Sequence, residues 1–168
     1  MLIKQAGFDA AIVSAVALQH HERYNGEGYP RGLKGERIHE FARIVAVADT
    51  YDAITSNRVY KKASLPHEAY EMLAGSGNSV FDFKVVKSFL HNIAAYPAGT
   101  FVQLSTGELG AVVETFKGHS LRPRVRVLFA PDGEKMKISY EVNLNEQPEL
   151  NIVKVVNYPS ATLGKGFP

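Results

Sequence analysis

Two adjacent histidines, His20 and His21, are the residues of this sequence best suited to chemistry, and a glycine-rich loop follows them directly. Further along the chain, Asp49 continues the apolar run 44–48. We expect this aspartate to be buried, where an ionised carboxylate is costly unless a cation or good hydrogen bonds compensate. Imidazole nitrogen and carboxylate oxygen both bind divalent metals well. The three side chains are therefore a candidate set of metal ligands.

The residues alone leave a second interpretation of the histidine pair open. Two histidines at a helix end can simply be satisfied by hydrogen bonds, with no ligand function. If they do bind metal, adjacent residues of a helix point about 100° apart, so that His20 and His21 would serve neighbouring ions of a cluster.

The element that must position the histidines is a helix. Asp9 is a suitable N-cap, and the apolar spacing predicts a helix from Ala10 to about Glu22. The histidines continue two neighbouring apolar lines on this helix, which are Ile12, Val16, His20 and Val13, Ala17, His21. We therefore expect both imidazoles to extend a buried stripe.

The segment after the histidines, residues 24–36, contains four glycines and Pro30. These are too many breakers for a helix or a central strand, so an ordered loop is predicted. Glycine lets the backbone of such a loop approach a ligand closely.

Three further helices are predicted in the first part of the chain. They run from Arg37 to about Ser56, from Ser64–Pro66 to about Ala74, and from a Ser79 cap to Ala94. The second helix of the chain carries Asp49, and on it Arg43 is expected to pair with a carboxylate in the interior.

After Tyr96–Gly99 the periodicity changes from helical to alternating and turn-punctuated, which predicts a domain boundary. Short strands are predicted at 101–104, 109–116, 124–129 and 150–156, with four or five strands in all. The predicted fold class is α+β, a mainly helical part followed by a small SH3-like β-barrel or meander. The expected domains are residues 1–95 and 96–156, with an irregular tail at 157–168.

Composition excludes several classes of protein. Nineteen basic and seventeen acidic residues give a formal charge of +2 in 168 residues, too near balance to indicate a nucleic-acid or anionic-membrane partner. Without cysteine there is no disulfide scaffold and no thiolate site, as is typical of a reducing compartment. No apolar run reaches the length of a membrane span. A soluble, cytoplasmic protein is expected.

Several ordered motifs carry a family resemblance from about Phe8 to Ala94. They are the segment His20–Pro30, then Ala42-Arg43-Ile44, Ala48-Asp49-Thr50-Tyr51-Asp52-Ala53 and Arg58-Val59-Tyr60. In order and spacing they resemble the second half of an HD-GYP domain, a member of the HD phosphohydrolases. The His-Asp dipeptide of that superfamily lies upstream in the family, and none of the six histidines here is followed by aspartate.

The resemblance implies a metal-dependent hydrolase of cyclic di-GMP in bacterial second-messenger signalling. In the family two or three ions, commonly iron or manganese, form the reactive cluster. The resemblance places His20, His21 and Asp49 at metal-ligand positions. The family's other ligands are upstream and have no counterpart here, so we expect an incomplete cluster and a weakly active or inactive fragment.

The resemblance also implies a substrate side. Tyr29, in the loop motif Gly28-Tyr29-Pro30, matches a position that contacts substrate or a partner, and Arg58 and Lys61 match positions that hold substrate phosphates. Tyr29 has the alternative of packing the loop onto the helices, and the two cations that of an exposed ion-pairing face. For Asp52 we expect a hydrogen bond behind the ligands or a local cap.

A second function remains open, that of a non-catalytic signalling module. In it the Gly-Tyr-Pro loop and the β domain would bind protein partners such as diguanylate cyclase domains, and an exposed apolar face would favour a homodimer. Near Phe116 and Phe129 lies a short basic cluster, Lys117, Arg122, Arg124 and Arg126. For this cluster we expect a packing or docking role rather than nucleic-acid binding.

Overall fold

The computed structural model describes residues 10–57, 62–77 and 79–157. The chain divides into two compact units between Ile93 and Ala94. The first unit is built from helices and the second from strands, which confirms the predicted α+β class. Among the described residues no helix is long and apolar enough to cross a membrane.

Four α-helices form the described part of the first unit. They are α1 (Ala10–Gln19), α2 (Glu40–Thr55), α3 (Pro66–Gly75) and α4 (Phe83–Asn92), with a single 3-10 turn at Gly35–Arg37. Helix α2 packs against each of the other three. Its Ala46 and Val47 meet α3 and α4 in a core that also contains Leu73, Phe81, Val86 and Leu90.

Several helix ends differ from the predicted ones. Helix α1 ends at Gln19, so that His20 and His21 lie in the turn that follows it. The last helix begins at Phe83, because the Asp82 side chain accepts a hydrogen bond from the Lys84 amide and caps it. Ser79 is not the cap. The amides of residues 79–81 converge on the carbonyl of Ser76, which makes this segment a turn.

Arg43 was predicted to pair with an interior carboxylate, and this prediction is confirmed. The carboxylate is that of Asp82. Nη1 of Arg43 on α2 donates to Oδ2 of Asp82. The two side chains are only 17% and 8% exposed, so the ion pair is largely removed from water. Through it, the residue that caps α4 is also fastened to α2.

The second unit is an antiparallel sheet of five strands in the order β4-β3-β2-β1-β5. The strands are β1 (Phe101–Leu104), β2 (Leu109–Glu114), β3 (Arg124–Phe129), β4 (Lys135–Asn143) and β5 (Ile152–Val155). Strands β1 to β4 form a meander, and β5 returns to pair with β1. Strand β4 was not among the predicted segments, although its apolar residues alternate along the sequence from Met136 to Val142.

The arginines of the basic cluster are bound within the β unit. Arg122 donates to the carbonyls of Leu144, Gln147 and Leu150 and to the side chain of Asn151, over distances of 2.7–3.2 Å. Arg124 pairs with Glu114 at 3.0 Å, and Arg126 pairs with Glu141 at 2.6 Å. Their charges are therefore balanced by neighbours on the sheet or used to hold a loop.

Replacing Asp82 tests the anchor between α2 and α4. Asp82→Ala removes the cap, worth about 1 kcal/mol, and leaves Arg43 without its partner, which costs about 3 kcal/mol or more. Asp82→Asn keeps the capping oxygen and loses the charge, so its cost should be smaller. Urea denaturation measures both, with Glu71→Ala on the exposed side of α3 as a control. Equal losses of unfolding free energy in the two Asp82 variants would contradict the assignment of separate capping and ion-pair contributions to this side chain.

A second prediction concerns alkaline pH. The hydrogen bond from Tyr140 to Glu108, then burial, then the charge of Glu108 raise the pKa of Tyr140 from 10.0 to about 12. Because the neutral phenol is favoured in the folded state, this stabilisation is fully present below pH 10.0 and is lost as the pH rises towards about 12. We expect Glu108→Ala to return the pKa towards 10.0. Ultraviolet titration of phenolate, read against Tyr140→Phe, measures the change.

Candidate metal centre

His20 and Asp49 face the same groove, which has a volume of about 520 Å³ and lies between α1 and α2. Its other lining residues are apolar: Ile12, Val13, Val16, Ala17, Phe41 and Val45. The groove thus brings together two of the three candidate ligands, and His21 is not among its lining residues. His21 lies next to His20 at the end of α1.

The expected burial of Asp49 is wrong, because the residue is exposed. The apolar stripe of α1 also differs from its expected state, since the described part of this helix has no buried residue. Both histidines are half-buried. Apolar periodicity predicts that a face is apolar but not what covers it, and among the described residues no element lies over this groove.

One hydrogen bond orients the His20 ring and indicates which of its nitrogens is the donor. Its Nδ1 lies 3.1 Å from the carbonyl oxygen of Val16. A carbonyl can only accept, so Nδ1 carries a proton, and in the neutral imidazole the free lone pair is then on Nε2. Metal-binding histidines are commonly oriented in this way by the hydrogen bond of their other ring nitrogen. The geometry of His20 therefore suits a ligand.

The imidazole of His21 is held by ring contacts. Its centroid is 4.0 Å from that of His20, with the planes tilted by 40°. The ring of Tyr29 also stacks on it, with the centroids 4.8 Å apart and the planes 27° apart. The loop that carries Tyr29 therefore returns to the histidine pair.

The Glu22 side chain holds this loop in place through hydrogen bonds, a function that was not predicted from the sequence. The side chain is buried, at 2% exposure. Its two carboxylate oxygens accept from the amides of Arg31 at 2.8 Å and Leu33 at 2.9 Å. A glycine-rich loop has many amides that need acceptors. An acidic residue directly between a helix and such a loop is the signal that could have identified Glu22.

Gly28 brings the loop backbone directly onto the histidine segment. A Cβ at this position would lie 2.3 Å from the Arg23 nitrogen and 2.5 Å from the Glu22 backbone, so no side chain fits. The next residue, Tyr29, donates its amide to the carbonyl of His21 at 3.3 Å. The prediction of an ordered loop is confirmed, and its order comes from contacts with residues 21–23.

The other predicted residues contribute less to this site. Asp52 accepts a hydrogen bond from the Ser56 hydroxyl at 3.0 Å and so caps the end of α2 locally. Arg58 and Lys61 lie outside the described residues. Among the remaining histidines, His39 caps α2 through Nδ1, and His91 and His119 are exposed.

The donor set fits part of a metal site. Imidazole and carboxylate donors line one groove, and the tautomer of His20 leaves Nε2 available. The described residues nevertheless contain no group of three or more His, Asp or Glu side chains placed to hold a metal ion. Tight binding of a metal ion therefore requires further ligands besides His20, His21 and Asp49.

The chain matches two protein-family models. The family model of the HD domain matches residues 1–85, which is half of the chain. The chain belongs to the HD-domain family. A second model, the KOW domain associated with the HD domain, matches residues 101–162 and covers the β unit. The HD-GYP type expected from the motifs is confirmed by the relatives of this HD domain.

Three curated relatives illustrate the match. A cyclic di-GMP phosphodiesterase of Pseudomonas aeruginosa is 46% identical over 121 residues, 72% of this chain and 29% of the relative. A cyclic di-GMP phosphodiesterase response regulator of Xanthomonas campestris is 48% identical over 79 residues, 47% of this chain and 21% of the relative. A 3'3'-cGAMP-specific phosphodiesterase of Vibrio cholerae is 39% identical over 69 residues, 41% and 16% of the two chains. The chain spans less than a third of the length of these relatives.

Removing the Glu22 carboxylate tests its role as the loop anchor. Glu22→Ala leaves two amides without an acceptor and should cost about 3 kcal/mol or more, since each hydrogen bond to a charged group is worth about 1.5–3 kcal/mol. Amide exchange at Arg31 and Leu33 should accelerate. The control is Glu27→Ala, an exposed glutamate of the same loop. Similar unfolding free energies for the two variants would contradict the assignment.

Proposed function

We propose that this chain is part of a metal-dependent phosphodiesterase that hydrolyses cyclic di-GMP. The observation that carries the proposal is that His20 and Asp49 line the same groove of an HD-domain chain. The hydrogen bond of His20 uses Nδ1 and leaves Nε2 for a ligand. The names of several relatives support the substrate. In this proposal the chain acts in the cytoplasm, which agrees with the absence of cysteine.

His20, His21 and Asp49 are the residues that would hold a divalent metal, with iron or manganese as the proposed ion. When bound, the metal supplies an activated water and stabilises charge on the phosphoryl oxygens. The chain's own contribution is orientation, since the Val16 carbonyl keeps the proton of His20 on Nδ1. The further ligands would come from the His-Asp half of the domain, as the resemblance implies.

Tyr29 is the proposed substrate contact within the described residues. The residue is 61% exposed although it stacks on His21, which leaves aromatic surface accessible to a guanine base. Arg58 and Lys61, which lie outside the described residues, are proposed to bind the phosphates, because paired cations suit a phosphodiester. Asp52 is proposed to support this end of α2 through its bond to Ser56.

Substitution of the three ligands in the intact protein tests the proposal. His20→Ala, His21→Ala and Asp49→Ala should each lower kcat by about 100-fold or more, which corresponds to losing a few kcal/mol of transition-state stabilisation. The fold should persist, because Asp49 is exposed and both histidines are only half-buried. Chromatographic assay of cyclic di-GMP measures the rate, with 3'3'-cGAMP as the competing substrate.

His91→Ala and Glu40→Ala are matched controls, since both residues are exposed and neither lines the groove. Wild-type rates in all three ligand variants would overturn the metal assignment. Hydrolysis of 3'3'-cGAMP in preference to cyclic di-GMP would overturn the proposed substrate and leave the reaction class intact.

A non-catalytic signalling module is the second candidate. It is favoured by the lack, among the described residues, of three side chains grouped around one metal ion. In this candidate the Gly-Tyr-Pro loop and the β unit would bind a diguanylate cyclase domain, and the apolar groove would join two copies of the chain. An intact protein that binds such a domain and hydrolyses neither dinucleotide would favour it.

A further inference from the structure

The contact between Tyr29 and His21 is a near-parallel stack. The ring centroids are 4.8 Å apart and the planes differ by 27°. Tyr29 is 61% exposed even with this contact, so much of the residue remains open to solvent. A tyrosine that served only to pack the loop would be expected to point into the core.

The backbone of Tyr29 is fixed on both sides. Its amide donates to the His21 carbonyl, and Gly28 before it lies against the backbone of residues 22 and 23. After it, Glu22 accepts the amides of Arg31 and Leu33. The ring of Tyr29 is therefore carried by a segment tied at several points to the same residues that carry His21.

The two histidines differ in what orients them. His20 has a hydrogen bond from Nδ1 to the Val16 carbonyl. For His21, the contacts of the imidazole within the described residues are the rings of His20 and Tyr29. Where a ligand histidine lacks a hydrogen-bonded partner, ring packing is what remains to fix its orientation.

We propose that Tyr29 is a positioning residue for His21. The Tyr29 ring orients His21 as the Val16 carbonyl orients His20. This function requires the aromatic face of Tyr29 and not its hydroxyl. The inference rests on the proposed assignment of His21 as a ligand, and it adds a function for the loop that does not involve substrate. The contact with the imidazole still leaves much of the Tyr29 side chain exposed, so the positioning function and the proposed substrate contact are compatible.

The first test is the state of the His21 ring in the metal-free chain. In the 168-residue chain labelled at histidine and treated with a chelator, the ring resonances of His21 are identified by their loss in His21→Gln. Tyr29→Phe should leave these resonances in place. Tyr29→Leu, which removes the aromatic face, should increase the mobility of the His21 ring in relaxation measurements, which the loss of the tyrosine's ring current alone would not do.

The controls separate this effect from a damaged fold. Tyr140→Leu makes the same chemical change at a partly exposed tyrosine of the β unit and should not affect His21. Unchanged resonances of His67 and His91 show that a variant is folded, and Tyr29→Ala is the second variant if Tyr29→Leu fails that check. The proposal is overturned if removal of the ring leaves the mobility of the His21 ring unchanged, or if Tyr29→Phe increases that mobility as strongly as Tyr29→Leu.

The second test uses Mn²⁺ binding to the intact protein, measured by calorimetry. Loss of a group that orients a ligand typically weakens metal affinity about 10–100-fold, and we expect about tenfold weaker binding in Tyr29→Leu with near-normal binding in Tyr29→Phe. Equal affinity in both variants would overturn the positioning function while hydrolysis by the wild type still stood. A wild type without metal binding or hydrolysis would overturn the proposed function, and the ring resonances would still decide whether Tyr29 orients His21.

Discussion

The buried carboxylate of Glu22 is the interaction on which the site depends most. It follows the two histidines directly and binds two amides of the loop that returns to them. A buried charge is stable only when its oxygens are fully used by donors, and here the loop provides the donors while the charge provides the loop with acceptors. Tyr29 reaches the face of His21 because the segment on which it lies is held in this way.

Much of the arrangement could be predicted from the sequence. Apolar spacing identified the helices, and the change of periodicity near Tyr96 identified the β unit. The ordered motifs from His20 to Tyr60 indicated the family, which the match over residues 1–85 shows. The prediction that Arg43 pairs with an interior carboxylate was correct because a cation next to the buried residues of α2 is costly unless a carboxylate compensates its charge.

Other features could not be predicted because they depend on contacts rather than on pattern. The exposure of Asp49 follows from what lies over its face of α2, and periodicity carries no information about that. Strand β4 was missed although its alternation was present, since most of its residues remain exposed on the outermost strand and no buried face marks it. Glu22 reads as an ordinary charged residue until the loop that folds back to it is known.

The guanidinium of Arg122 has a consequence for how the β unit can vary in evolution. It joins three carbonyls and an asparagine side chain of residues 144–151, a stretch with little regular structure of its own beyond the end of β4. What this position must preserve is the number and direction of donors, not its positive charge. Lysine offers three donors from a single point and arginine offers five in a planar fork. A lysine at position 122 would keep the positive charge but lose most of the hydrogen bonds that connect this position to residues 144–151.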